Sequence, residues 1–310
     1  TPGFIDVNTD SDHHLTLFTN PLQEDFLKQG VTTIIGGQCG ASLAPILYGS
    51  LNSIRKWADT DQINVSWNTL KELKNILNKT KLGVNFATLI GHSTVRRDLV
   101  GEEIRALTEP ELEIFKNTID QAMQEGAAGL STGLGYSHAK NVSYSEIKKL
   151  LSAVAKRNGI YTSHLRNEQT GILESVKEIT RLSEETGIPA VISHFRPILG
   201  SENEFRQALA LIENKLNTQN IYFDVNPFPM SVLHIYTLLP DWAQQGNLET
   251  MLDIIADPTN QKQILSEWAN QKFQFNELTI AEARSNPYLI GKTLKEFSEN
   301  RGLKPELGLL

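Results

Sequence analysis

The feature that most constrains the fold is a repeated unit, in which a short apolar strand is followed by a polar or Gly-rich turn and an amphipathic helix. We predict seven such strands, which begin near Phe4, Val31, Gly83, Gly126, Ile160, Pro189 and Ile221. Each repeat is roughly 30 residues long, the size of a βαβ unit with a right-handed crossover. The pattern predicts an α/β fold, a TIM-like (β/α)8 barrel with about seven strands present and its C-terminal end incomplete. An open doubly wound sheet is the alternative, although no Gly-x-Gly-x-x-Gly follows the first strand.

Two helices have clear start signals. Thr108 precedes an early Pro110 and the acidic Glu111, and Ser143 is followed by Glu146 three residues later. Ser or Thr at the N-cap with Glu at the third helical position forms a capping box. We therefore predict helices from about Thr108 to Glu125 and from Ser143 to Asn158.

The composition is that of an ordinary globular protein. The chain has 310 residues, of which 40% are hydrophobic and 21% charged, and this length suits one large α/β domain or two smaller ones. Residues 244–285 read as a polar helical insertion without a clear strand. Because the sequence opens directly on an apolar strand and stops as another apolar element begins, we expect a fragment of a longer protein.

Charge and cysteine usage exclude several classes. The net charge of -7 disfavours a nucleic-acid partner, and no apolar run has the length of a membrane span. Cys39 is the single cysteine, so an intramolecular disulfide is excluded and a reducing compartment is favoured. We predict a cytoplasmic protein with neither a nucleic-acid nor a membrane partner.

Three residues of types that bind metals follow predicted strands. Cys39 comes after the second strand, and His164 and His194 end the fifth and sixth strands, 30 residues apart. Taken singly, each reads as a buried thiol or a hydrogen-bonded loop histidine. Since parallel strands end at the same edge of a sheet, the three are expected to meet there, where a thiolate and two imidazoles suit Zn²⁺.

Several motifs together resemble the D-aminoacylase branch of the amidohydrolase superfamily. They are GFID from Gly3, GVTTIIGGQCGASLAP from Gly30, GHSTVRR from Gly91, EGAAGLSTGLGYSH from Glu125, YTSHLRNE from Tyr161, ISHF from Ile192 and TLLPDW from Thr237. The resemblance runs from Gly3 to about Gly302. It implies that residues 1–310 are one amidohydrolase barrel domain, without the family's β-sandwich, in which Cys39, His164 and His194 bind zinc.

The chain departs from the family pattern at two catalytic positions. The family usually has His-x-His after the first strand, where this chain has Asn8 and Asp10, so a second metal would lose two imidazoles. His13 and His14 lie nearby and are potential substitutes, although exposed loop histidines are the favoured interpretation. The family's catalytic Asp after an eighth strand has no counterpart here, and Asp10 is the candidate to replace it.

The resemblance also suggests substrate contacts. Arg166 follows a ligand strand and either binds a substrate carboxylate or pairs with Glu168. Tyr136 follows the fourth predicted strand and is expected at the same edge of the sheet. Arg196 lies at a position where the family often has Lys, and Asn226 replaces the first residue of a family Tyr-Pro-Tyr. We assign Arg166, Tyr136, Arg196 and Asn226 to substrate binding.

The function implied is zinc-dependent hydrolysis of N-acyl-D-amino acids, which releases a carboxylic acid and a D-amino acid. Because the family's carboxylate after an eighth strand has no counterpart here, we expect the chain alone to show little or no activity unless Asp10 takes its place. The substrate would be a small molecule. One alternative is another amidohydrolase activity, such as hydrolysis of a cyclic amide. The other is a catalytically degenerate barrel that binds metal or ligand without turnover.

Overall fold

The computed structural model describes residues 2–198, 201–215, 218–228, 230, 232–244, 248–271, 275–283 and 285–310. The chain divides into two compact units, Thr1–Pro227 and Phe228–Leu310. All of the strands named below lie in the first unit.

The strands of the first unit are parallel and form two sheets. Their bounds are β1 Phe4–Asp6, β2 Val31–Gly36, β3 Asn85–Thr88, β4 Ile90–Gly91, β5 Gly129–Gly133, β6 Ile160–His164, β7 Ala190–Ile192 and β8 Ile221–Phe223. One sheet has the order β1-β2-β3 and the other β4-β5-β6-β7-β8. Consecutive strands are thus neighbours within each sheet, and their carboxyl ends share one edge.

The third predicted strand is interrupted at Leu89, which separates β3 from β4. The Leu89 amide still donates to the Gly36 carbonyl of β2, while its own carbonyl accepts a hydrogen bond from the Thr88 hydroxyl. After β4, the GHSTVRR motif begins a helix at His92.

Helices follow the strands of the first unit. Their bounds are α1 Thr16–Thr19, α2 Glu24–Lys28, α3 Leu70–Thr80, α4 His92–Val100, α5 Glu109–Gln124, α6 Tyr144–Ala155, α7 Ile172–Thr186 and α8 Glu202–Lys215. The Thr108 and Ser143 side chains accept hydrogen bonds from the backbone N–H groups of Glu111 and Glu146, so both predicted starts are confirmed.

The core of the first unit lies between the strands and the inner faces of the helices. Leu130 and Tyr161 from the sheet pack with Phe115, Leu150 and Val176 from the helices, and all five are fully buried. This core holds the strand ends, and therefore the side chains that follow them, in fixed positions.

The second unit is helical. Its helices are α9 Leu248–Ala256, α10 Pro258–Gln271, α11 Leu294–Glu299 and α12 Pro305–Leu309, and Trp268 lies in its own small core. The predicted helical stretch 244–285 contains α9 and α10, while its residues 245–247, 272–274 and 284 lie outside the described residues. Throughout the described ranges, every helix is too short or too polar to cross a membrane.

Candidate metal centre

Cys39, His164 and His194 converge at the carboxyl ends of β2, β6 and β7. One ligand atom from each lies within 4.8 Å of the others. The Cys39 Sγ is 3.7 Å from the His194 Nε2, and the two imidazole centroids are 4.5 Å apart. The predicted convergence of these three side chains is therefore what the structure shows.

The local backbone is shaped to bring the ligands together. Cys39 and His194 both have left-handed φ values, 52° and 41°, which non-glycine residues rarely adopt and which occur often at functional sites. The TGLG segment, Thr132 to Gly135, ends β5 and packs directly against two ligands. A Cβ on Gly133 would lie 2.2 Å from the Cys39 carbonyl oxygen, and a Cβ on Gly135 would lie 2.7 Å from the His164 Nε2.

Electrostatics favour a thiolate at this site. Burial by itself would raise the pKa of the Cys39 thiol, but hydrogen bonding and charge from His164 and His194 bring that pKa below its ordinary value. Burial opposes the protonation of His194, yet Cys39 and Glu168 raise the pKa of His194 well above its usual range. A thiolate is the form in which Cys binds a metal, and a bound metal would displace the histidine proton.

Glu168 lies beside both ligand histidines. Its Oε1 is 2.6 Å from the His194 Nδ1, and its Oε2 is 3.8 Å from the His164 Nε2. Desolvation would raise the pKa of Glu168, but the His164 and His194 charges lower it to about 2, so this carboxylate is ionised. Carboxylates in this position orient ligand histidines. The suggested Arg166–Glu168 pair is wrong, because Glu168 faces the histidines.

Asp224 follows β8 and holds the turn that carries His194. Its Oδ1 accepts a hydrogen bond from the His194 backbone N–H at 2.7 Å, and both of its oxygens accept from the Asn8 amide. Asp224 is not among the residues predicted from the sequence, although its position directly after a strand, in IYFD, is a sequence signal for such a role.

Asp10 lies at the same edge, after β1, and its partner is His13. The Asp10 Oδ1 is 2.8 Å from the His13 Nδ1, and the His13 Nε2 is 3.0 Å from the Ala41 carbonyl oxygen. His13 is completely buried, which corrects the expectation of an exposed loop histidine, and its two occupied nitrogens leave none for a metal. His14 is exposed as expected.

The four predicted substrate residues differ in their surroundings. The Arg166 guanidinium is bonded to Glu178 and to the carbonyls of Lys140 and Val142, so the structure favours a structural role for it. Tyr136 packs beside His164, with ring centroids 4.6 Å apart.

The other two predicted residues lie in loops. Arg196 follows His194 by two residues, forms no ion pair or hydrogen bond with a described residue, and its charge helps to lower the pKa of Glu168. Asn226 is exposed in the loop after β8.

The residues present fit a zinc ion. An ion bonded at about 2.3 Å to sulfur and 2.0–2.1 Å to nitrogen is compatible with the 3.7 Å separation of the Cys39 Sγ and the His194 Nε2. The His164 Nδ1 is buried and has no hydrogen-bond partner, as expected of an atom reserved for a ligand. The donor set, one sulfur and two imidazoles, is typical of zinc with an open position.

Comparison with known proteins agrees with this geometry. A D-aminoacylase of Alcaligenes xylosoxydans xylosoxydans is 31% identical over 229 residues, which are 73% of this chain and 46% of that protein. An N-acyl-D-aspartate deacylase of the same organism is also 31% identical, over 74% of this chain and 46% of that protein. This chain is a homologue of the D-aminoacylases. The predicted resemblance is confirmed, and the chain spans about half the length of the relatives it matches.

A solved structure establishes the fold of this D-aminoacylase homologue. N-acyl-D-glutamate deacylase from Bordetella bronchiseptica, complexed with zinc and a phosphonate inhibitor that mimics the tetrahedral intermediate, matches with a TM-score of 0.79. The match covers 99% of this chain and 58% of that one at 23% identity, and confirms the predicted α/β barrel fold. A search against family models found no match.

Proposed function

We propose that this D-aminoacylase homologue carries out zinc-dependent hydrolysis of the amide bond of N-acyl-D-amino acids. The observation that carries the proposal is the convergence of Cys39, His164 and His194 within 4.8 Å at one edge of the strands. The similarity to D-aminoacylases supports metal-dependent amide hydrolysis, and the donor set supports zinc. We retain the cytoplasmic location as part of the proposal, based on the single cysteine.

Zinc, when bound by Cys39, His164 and His194, would polarise the amide carbonyl and lower the pKa of a water molecule. The chain's own residues prepare this site. Glu168 holds the His194 ring through its Nδ1, and Asp224 holds the His194 backbone, so the ligand is fixed before the metal arrives.

Asp10 is our candidate for proton transfer. Desolvation would raise the pKa of Asp10, but the hydrogen bond and charge of His13 lower it, so the carboxylate is ionised and able to accept a proton at neutral pH. The buried His13 fixes the carboxylate from behind. The Asp10 side chain remains about half exposed at 52%, which leaves it accessible to a substrate.

The substrate would lie across the same edge. Arg196 supplies a cation without a described partner and is suited to the α-carboxylate. Tyr136 gives an aromatic wall beside His164, and Asn226 offers an amide from the loop after β8.

The decisive experiment compares zinc content and turnover in the protein and in Cys39→Ala. We expect about one zinc per chain, release of amino acid from N-acetyl-D-amino acids but not from their L enantiomers, and loss of both properties in Cys39→Ala. Ser193→Ala is the matched control, because Ser193 is buried beside a ligand and its Oγ has no hydrogen-bond partner.

Other outcomes decide between the alternatives. Hydrolysis of hydantoins or dihydropyrimidines in place of N-acyl-D-amino acids would favour a cyclic-amide hydrolase. Zinc binding through Cys39 without turnover of any amide would favour a degenerate barrel.

A further inference from the structure

Lys56 lies beside the metal centre and takes no part in the function described so far. Its Nζ is 3.0 Å from the centroid of the Tyr136 ring and 4.0 Å from that of Trp57. Tyr136 in turn packs against His164. Lys56 is therefore one aromatic ring away from a predicted zinc ligand, and its side chain is half-buried.

The Lys56 ammonium has no carboxylate partner among the residues that the structure describes. Neighbouring cations are different, because Arg96 pairs with Glu146 and Arg97 pairs with Glu102. Burial and the Arg97 charge lower the pKa of Lys56 well below its ordinary value, against the opposing charges of Cys39 and Asp10. The protein alone therefore stabilises the charged form of Lys56 poorly, and a carboxylate arriving beside the amine would restore the ammonium and bind to it.

The neighbours of Lys56 and Arg196 indicate what kind of anion the two residues could bind. His164 has Tyr136 at 4.6 Å and His194 at 4.5 Å. The Lys56 Nζ lies over the Tyr136 ring, whereas Arg196 follows His194 in the chain and its charge helps to lower the pKa of Glu168. Lys56 and Arg196, which lack a carboxylate partner among the described residues, thus lie beside different neighbours of His164. An N-acyl amino acid with an uncharged side chain has only one carboxylate to offer them.

We propose that Lys56 is a specificity residue that binds the side-chain carboxylate of an acidic N-acyl-D-amino acid. This inference rests on the proposed function, with Arg196 taking the α-carboxylate. A lysine is suited to this task because its ammonium acts as a point charge on a flexible stem, and can reach carboxylates on side chains of different length.

The test uses the zinc-loaded protein and an isosteric substrate pair, N-acetyl-D-glutamate and N-acetyl-D-glutamine. We expect the parent protein to prefer the glutamate substrate in kcat/KM. Lys56→Met should lose about 10- to 100-fold on glutamate, the range for a charge-assisted hydrogen bond, and less than about threefold on glutamine. Lys56→Arg should keep much of the preference. Arg55→Met is the matched control, since Arg55 is an exposed cation on the same loop.

Three results would overturn the inference. They are a parent that prefers the glutamine substrate, an unchanged preference in Lys56→Met, or an equal loss on both substrates, which would indicate the α-carboxylate or a folding defect. If neither substrate is hydrolysed, the proposed function fails separately. Calorimetric affinities of the same pair for the parent and for Lys56→Met then still measure whether Lys56 selects the carboxylate.

Discussion

The Asn8 side-chain amide donates hydrogen bonds to both carboxylate oxygens of Asp224, at 3.1 and 3.0 Å, although 216 residues separate the two in sequence. Asn8 follows β1 and Asp224 follows β8, the outer strands of the two sheets. Since Asp224 also accepts from the His194 backbone, this contact connects the first strand to a predicted zinc ligand. The Asn8 amide therefore helps to hold Asp224 at this edge of the strands.

The first prediction concerns Asp224. Asp224→Ala removes the acceptor that holds the strained His194 turn, and we expect zinc affinity to fall by about tenfold or more, as when other groups that orient metal ligands are lost. Asp224→Asn keeps one acceptor oxygen and should lose less. Competition with a chromogenic chelator measures both, with the exposed Asp253→Ala as control. Unchanged affinity in Asp224→Ala would contradict this role.

The second prediction concerns Gly135. An added Cβ would lie 2.7 Å from the His164 Nε2, closer than real Cβ atoms approach, so Gly135→Ala must displace the ligand ring. We expect zinc content after dialysis to fall well below that of the parent protein. Gly291→Ala is the control, because it places a Cβ in open space at a left-handed position, and costs stability without touching the site. Full zinc retention by Gly135→Ala would refute the contact.

Much of the fold and the ligand set could be predicted from the sequence, because both depend on local patterns. Alternating apolar strands and capped helices predicted the parallel α/β order, and strand-end positions alone brought Cys39, His164 and His194 together. These inferences need the topology but no side-chain packing.

The surroundings of the ligands could not be predicted, because they depend on long-range contacts. The sequence leaves a pair of Glu168 with Arg166 as one of two interpretations, whereas packing turns Glu168 toward His194. Lys56 lies on a loop without a motif, and its place beside the metal centre depends on packing against Tyr136, which follows β5. His13 was expected to be exposed because its neighbours are polar, yet Trp57 covers it at 4.1 Å.

The third prediction separates structural from catalytic residues in GHSTVRR. Glu146 is buried between His92 and Arg96, at 2.9 and 3.1 Å. Glu146→Ala leaves the Arg96 charge unpaired, and should lower the free energy of unfolding by about 3–5 kcal/mol. Urea titration measures this, and the exposed Glu113→Ala should change it by about 0.5 kcal/mol or less. A Glu146→Ala variant as stable as the parent would show that the ion pair of Glu146 and Arg96 contributes nothing to the free energy of unfolding.

The last prediction concerns the dependence of stability on pH through His13. Burial lowers the pKa of His13, but Asp12 and Asp10 outweigh it and raise that pKa from 6.5 to about 9. Both ring nitrogens have acceptors, the Asp10 carboxylate and the Ala41 carbonyl, as required for a protonated imidazole. A group whose pKa is raised on folding stabilises the native state fully below its unfolded pKa, and this contribution disappears as the pH rises through the folded pKa.

The stabilisation from His13 should therefore be complete below about pH 6.5 and lost by about pH 9, a change of up to about 3 kcal/mol at 1.36 kcal/mol per pKa unit. Urea unfolding at pH 6 and pH 9.5 measures the change in the parent protein. His13→Gln should show a smaller change because it has no proton to lose, while His14→Gln, at the exposed neighbour, should behave as the parent does. If His13→Gln loses as much stability over this pH range as His14→Gln, His13 is not a protonated imidazole held between Asp10 and Ala41. Asp10 would then lack the fixed partner on which its role in proton transfer depends.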